Sequence, residues 1–338
     1  MKCLRVVVSG AAGLIGYSLS GLLGDGTVFG TDRLVELVLH DIPRCEQKLV
    51  ALKAELEDCA FPYVSSIEFF TDPLNAFRDA DIVFFLASLP LTGPDRASLL
   101  EKNINIYIEF GKALEQVASR TCKSIVVANP ANTLAYVLMQ TAPSIPRSNF
   151  AALNRTDHNR TRSLTLDACR KAYDASLQLS DLSDTFVWGN HGNTMFADLT
   201  HAKIRGIPLM EAIPDRELWE KTLPEQVERR GWVLMELRGG VSSVLSVARA
   251  SVDVARDWCL GTNGKRITMA VCSDGNCYGV EEGLIFGMPV VCENGEWKCV
   301  EGLKIAENVR KHIEITTQDL KKEVEIADAA IERAKNNN

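Results

Sequence analysis

The sequence predicts an α/β fold: a doubly wound parallel sheet in the first half, followed by a mixed α+β domain. Three observations carry this prediction. Continuous Val/Ile/Leu-rich runs alternate with helical patterns through the first half, as parallel strands covered on both faces require. A turn with regularly spaced glycines joins the first strand to the first helix. Past residue 154 the pattern changes to long helices and a cluster of short strands, the arrangement of an α+β unit.

The first strand is "LRVVVS", followed by the helical "GLIGYSLSGLL" and a second strand "LVELVLHD". Further strands are "SIEFF", "DIVFFLAS" and "SIVVAN", with helices over 47–58, 96–118 and 133–141. The second half opens with a helix near 157–174 and carries a long helical pattern from Ser242 to Leu260. Short strands follow between 266 and 300, among them "RITMAVCS" and "PVVCENGEWKCV", the latter folded at an Asn294-Gly295 turn. The charged amphipathic stretch "TTQDLKKEVEIADAAIERAK" closes the chain as a helix. The division is therefore 1–154 and 155–338. No Pro/Ser-rich linker separates the halves, so they are expected to share a tight interface, a usual place for a site.

A length of 338 residues suits two domains, and 46% hydrophobic with 24% charged residues is ordinary for a globular protein. A net charge of −7 argues against nucleic acid as a partner, because phosphate binding requires a basic face. No apolar run approaches the ~18–20 residues of a membrane span, so no membrane partner is expected. The N-terminus enters a strand almost at once, leaving no room for a targeting peptide. Ten cysteines lie scattered without a CxxC pair, most of them in apolar surroundings, which points to a reduced cytoplasmic protein with no metal site. Asn-x-Thr patterns at Asn154 and Asn159 are chance matches without a secretory signal.

"VVVSGAAGLIGYSL" places Gly10, Gly13 and Gly16 between a strand and a helix. Such glycines permit a tight turn and the close approach of a pyrophosphate, whose charge the helix N-terminus favours. Glycines in a packed strand–helix turn would look the same. The second strand ends in Asp41, where an acid can bind ribose hydroxyls and repel a 2′-phosphate. Together these features favour NAD over NADP and a Rossmann domain. Asn129 in "VVANPANT" ends another parallel strand, where it either contacts a ligand or makes an Asn-Pro turn. In "LNRTDHNRTRS", Asp157 and Arg160 stand i,i+3 at a helix start and can share a face; a surface pair would have the same spacing. In "FVWGNHGNTMF", His191 is the one histidine of five set between glycines, although a lone histidine is often structural. Beside a carboxylate its imidazole could exchange a proton with a reacting hydroxyl near neutral pH.

In this order, these segments resemble the lactate/malate dehydrogenase family, most closely its cytosolic malate dehydrogenase branch. "ELEDCAFP", "TAPSIPRSNF", "SDGNCYGV" and "KCVEGL" extend the resemblance over nearly the whole chain. It implies hydride transfer between NAD and an L-2-hydroxy acid. His191 would be the proton acceptor, Asp157 its orienting carboxylate, and Arg160 the clamp on the substrate carboxylate. Arg96, on the loop after the fourth strand, would polarise the carbonyl, and Asn129 would hydrogen-bond the reacting oxygen. Cofactor contacts would come from Gly10, Gly13, Leu14, Ile15, Gly16, Asp41, Ala87, Ser88, Asn103, Val127 and Asn129. The branch also implies a homodimer with apolar helix faces paired across its interface. The residue types agree with these roles: a planar guanidinium grips a carboxylate bidentately, and an Asp–His pair stabilises imidazolium.

The chain departs from the family pattern at three places. Malate dehydrogenases of this branch carry a second arginine on the loop for the distal carboxylate of oxaloacetate. Here that stretch reads Leu91-Thr92-Gly93, so the loop is expected to serve an uncharged substrate side chain. The facing wall, "ELRGGVSSVLS", brings Ser242 and Ser243 to the pocket and holds a Gly-Gly pair that could enlarge it, with Arg238 as a possible substitute cation. Phe110 replaces a usually polar residue. These departures resemble the aromatic L-2-hydroxy acid dehydrogenases derived from this branch. The expected substrate is therefore an aromatic or bulky aliphatic 2-oxo acid, with malate or lactate as alternatives. Short-chain reductases share a similar glycine turn but need Tyr-x-x-x-Lys, which is absent here. A non-catalytic NAD-binding scaffold would have no reason to keep Asp157, Arg160, His191 and Arg96 together.

Overall fold

The computed structural model describes residues 2–89 and 96–336. The first half runs β1 (Lys2–Ser9), α1 (Leu14–Ser20), β2 (Arg33–His40), α2 (Glu46–Asp58), β3 (Val64–Phe70), α3 (Pro73–Ala76), β4 (Ile82–Phe85), α4 (Arg96–Val117), β5 (Lys123–Val126), α5 (Ala131–Thr141) and β6 (Phe150–Ala152). Val6, Val7 and Val8 of β1 have no exposure at all, although consecutive side chains point to opposite faces. Both faces of the sheet are therefore covered, which explains the unbroken apolar runs. Strands β3-β2-β1-β4-β5-β6 are all parallel and lie in that order. The order reverses between β1 and β4, and the crevice at such a switch point is where ligands bind in doubly wound sheets.

The second half comprises α6 (Arg155–Ala172), β7 (Leu182–Ser183), β8 (Phe186–Trp188), β9 (Phe196–Asp198), β10 (Lys203–Ile204), β11 (Ile207–Pro208), α7 (Leu209–Ala212), α8 (Leu223–Leu237), α9 (Leu245–Leu260), β12 (Ile267–Cys272), β13 (Ile285–Glu293), β14 (Glu296–Cys299) and α10 (Glu307–Asn336). Its late strands do not form a sheet of their own. β12 pairs antiparallel with β6 through Ala270 with Ala152 and Val271 with Ala151, and β13 and β14 follow, giving one nine-stranded sheet. Three strands of the second half thus cover an edge of β6 that would otherwise be bare.

Two large apolar clusters sit on either side of this sheet, one around Val6, Val8 and Trp258 and the other around Val7, Phe77 and Phe85. A third lies under α6 and α8, around Leu199 and Trp219. Phe110, where the malate enzymes of the branch usually carry a polar residue, belongs to the second cluster. It is 8% exposed and packs edge-to-face on Phe77 and His40, with ring centroids 5.6 and 5.8 Å away. Two helices also differ from their expected bounds. α9 begins at Leu245, leaving Ser242 and Ser243 in the preceding turn, and α10 begins at Glu307, well ahead of Thr316. No helix among the described residues is long and apolar enough to cross a membrane.

Candidate active site

The glycine turn hangs on the end of β2. The His40 carbonyl accepts the N–H groups of Gly10 (2.8 Å) and Ala11 (3.1 Å). Gly10 has φ +90°, which disfavours any side chain, and a Cβ there would stand 2.6 Å from the Ala87 nitrogen. A Cβ on Gly16 would fall 2.3 Å from the Gly10 carbonyl oxygen, so this glycine lets α1 pack against the turn. Gly13 caps α1, Leu14 is exposed and Ile15 faces the cleft. Asp41 lies beside the turn: its carboxylate accepts the Ala12 N–H at 3.1 Å and its neighbour Ile42's N–H at 2.9 Å. After β4, Ala87 is tied to the Ser9 carbonyl at 3.1 Å and Ser88 is exposed. Asn103 is fully buried on α4, and its amide is engaged with both the N–H (2.7 Å) and the carbonyl (2.9 Å) of Leu89, so it holds the loop's start.

These residues fit NAD. The turn has room for a pyrophosphate only because side chains are missing at its glycines, the N-terminus of α1 opens onto it, and an acid stands at the end of β2. When bound, the cofactor supplies the acceptor or donor for hydride.

The second group is assembled by α6 and by the loop after β8. Asp157 sits in the first turn of α6, 2% exposed. One carboxylate oxygen is 2.5 Å from His191 Nδ1 and the other accepts from Arg160 Nη1 at 3.1 Å. A carboxylate only accepts, so it holds the neutral ring with hydrogen on Nδ1 and leaves Nε2 as the acceptor. Arg160 hydrogen-bonds described residues through Nη1 alone, and its buried Nε has no partner. His191 is fixed through its backbone as well. Asn132 of α5 accepts the His191 N–H at 2.9 Å while donating to the Ile285 carbonyl at 2.8 Å. Gly189, at φ +91°, exchanges two backbone hydrogen bonds with Gly287 of β13 at 3.0 and 2.7 Å.

Ile15, Val127, Asn129, Asp157, Arg160, His191, Ser242 and Ser243 line one cleft of about 240 Å³. Leu91 and Thr92 lie outside the described residues; Arg96 opens α4 at the end of that loop. Arg238 does not line the cleft. It is exposed and donates across the turn to the Ser242 carbonyl at 2.5 Å. Sequence reasoning missed the wall from α8, which contributes Glu228, Gly231, Trp232 and Met235. Their i, i+3, i+4, i+7 spacing puts them on one helix face, but only Trp232 and Met235 are apolar, so the face carries no apolar signal. At Gly231 α8 lies beside Arg160: a Cβ there would be in ordinary van der Waals contact with Nη1, at 3.5 Å.

A doubly wound sheet with this glycine turn, and an Asp–His pair beside an arginine in the adjoining cleft, define a nicotinamide-dependent dehydrogenase of 2-hydroxy acids. The chain belongs to the lactate/malate dehydrogenase family. Residues 4–151 match the NAD-binding domain of these enzymes and residues 155–331 their α/β C-terminal domain. Similar solved structures include malate dehydrogenase from Naegleria fowleri, with 32% identity, 98% of this chain and 99% of that one covered, and a TM-score of 0.91. Lactate dehydrogenase of Trichomonas vaginalis in complex with NADH and oxamate has 35% identity, 98% and 99% coverage, and a TM-score of 0.89. The apo L91R form of the Trichomonas enzyme has 34% identity, 99% and 100% coverage, and a TM-score of 0.90. The protein is thus an NAD-dependent oxidoreductase acting on the CH–OH group of a 2-hydroxy acid.

Proposed function

We propose that this enzyme interconverts 2-oxo acids and L-2-hydroxy acids whose side chains carry no charge, with aromatic or bulky aliphatic substrates preferred. One observation carries the reading: Arg160 is the only cationic Lys or Arg among the described residues of the cleft wall, and Trp232, Met235 and Val247 supply an apolar surface. Arg160 binds the C1 carboxylate through its unused donors. His191 Nε2 takes the hydroxyl proton in oxidation and returns it in reduction, and Asp157 stabilises the imidazolium in between. Asn129 hydrogen-bonds the reacting oxygen, and Arg96 polarises the carbonyl. Asp41 selects NAD over NADP.

The likeness to the Trichomonas lactate dehydrogenase favours a second reading, in which pyruvate is the substrate. Exposed Leu14 and Tyr17 on α1 and Leu245 on α9, two helices in contact, support a homodimer joined through this face. Ten free cysteines suit the reducing cytoplasm.

The test is steady-state NADH oxidation with oxaloacetate, pyruvate, phenylpyruvate and p-hydroxyphenylpyruvate. The highest kcat/KM is expected for an aromatic acid. A pyruvate maximum selects the second reading, and an oxaloacetate maximum overturns both.

A further inference from the structure

We infer that Glu228 sets the charge selectivity of the substrate pocket, rejecting side chains that end in a carboxylate and accepting those that are neutral or cationic. The inference rests on the reading that Arg160 takes the reacting carboxylate, so that a second charge on the substrate lies in a cleft whose wall carries Glu228. Helix α8 lies beside the Arg160 guanidinium at Gly231, and Glu228, one turn earlier, stands in the same wall as the catalytic pair. Its basic neighbours on α8 do not line the cleft. Arg229 and Arg230 line a separate groove against Leu164 of α6, and Arg238 is held by the Ser242 carbonyl. The charge that α8 delivers to the cleft is therefore negative.

Glu228 differs in kind from the other acid in the wall. Asp157 is committed to His191 and Arg160, whereas no described residue hydrogen-bonds or ion-pairs with the Glu228 carboxylate. Partial burial and the nearby Glu225 carboxylate raise its proton affinity, and the Arg229 charge offsets this only in part. A dicarboxylic substrate would bring a second anion towards this group. A guanidinium or ammonium at the same end would find an acceptor.

The test uses the full-length enzyme with NADH and three classes of substrate: oxaloacetate, neutral 2-oxobutyrate, and cationic 2-oxo-5-guanidinopentanoate. Glu228→Gln removes the charge with little change of shape at an exposed helix position, and Glu228→Lys reverses it. NADH binding, read by fluorescence, should be unchanged in both and reports the fold. In Glu228→Gln the kcat/KM ratio of oxaloacetate to 2-oxobutyrate should rise about tenfold, a modest value for a screened like-charge contact. The ratio of the guanidino acid to 2-oxobutyrate should fall, and both shifts should be larger in Glu228→Lys. A purely structural role would move all three substrates together. Ratios that stay within threefold of wild type in both variants overturn the inference. Wild-type preference for oxaloacetate would instead overturn the uncharged-substrate reading, while the shifts in the variants would still decide the role of Glu228.

Discussion

His191 is positioned from two sides: its ring by Asp157, and its backbone by Asn132, which reaches it from the first half of the chain. If the ring carries the substrate proton, His191→Asn should lower kcat by about 10²–10⁴-fold, the usual worth of general acid–base catalysis, with NADH binding retained. Turnover within threefold of wild type would remove His191 from that role. Asp41 acts at the other end of the site. Wild type should strongly prefer NADH to NADPH, and Asp41→Ser should narrow the ratio of their kcat/KM values; equal use of both cofactors by wild type would refute the assignment. The charged residues of the site were legible because each sat in a distinctive local setting. Asn132 was not, because its partners His191 and Ile285 lie far away in sequence and only the fold brings them to one amide.

Elements carry a different kind of dependence. The glycine turn is suspended from the end of β2 by the His40 carbonyl, and the His40 imidazole is buried against Ser9 Oγ at 2.9 Å. Burial lowers its pKa from 6.5 to about 4. Between those values the unfolded chain binds a proton that the folded chain refuses. Stability is therefore full above pH 6.5 and is lost as pH falls towards 4, by about 3 kcal/mol from this group. Buried His158 acts in the same direction. Melting temperatures measured from pH 7 to pH 4.5 should fall less steeply for His40→Gln than for wild type, and parallel curves would exclude the effect. The loop after β4 sets the other dependence. Arginine introduced at Leu91 or Thr92 should raise oxaloacetate kcat/KM at least tenfold, because a buried charge left without a partner costs about 2–5 kcal/mol. No gain at either position would place the distal end of the substrate elsewhere. Strands were the most legible elements, since burial on both faces writes itself as an uninterrupted apolar run. α8 escaped notice because its inner face mixes Glu228, Gly231 and Trp232, so no apolar stripe marks it.

At the scale of the molecule, the exposed apolar residues of α1 and α9 lead to the expectation of a dimer. Light scattering should give twice the 37.2 kDa chain mass, and Leu245→Asp, on a residue 79% exposed in the single chain, should shift it towards one chain. A wild-type mass of 37.2 kDa would refute the pairing. The parallel part of the architecture was readable from the alternation of strands and helices. The union of the two halves was not, because the pairing of β12 with β6 is written in backbone hydrogen bonds that any apolar strand can make.

That union bears on how the enzyme can be taken apart. The boundary near residue 154 marks a change of pattern in the chain, yet hydrogen bonding runs across it from β6 to β12 without a break. A fragment ending there would carry the complete dinucleotide turn, but β6 would be left with an unclaimed row of amides and carbonyls. Such an edge recruits foreign strands. The second half is thus also a cap on the first, and a stand-alone cofactor module cut from this protein would need a replacement strand, or a charge placed in β6, to remain dispersed.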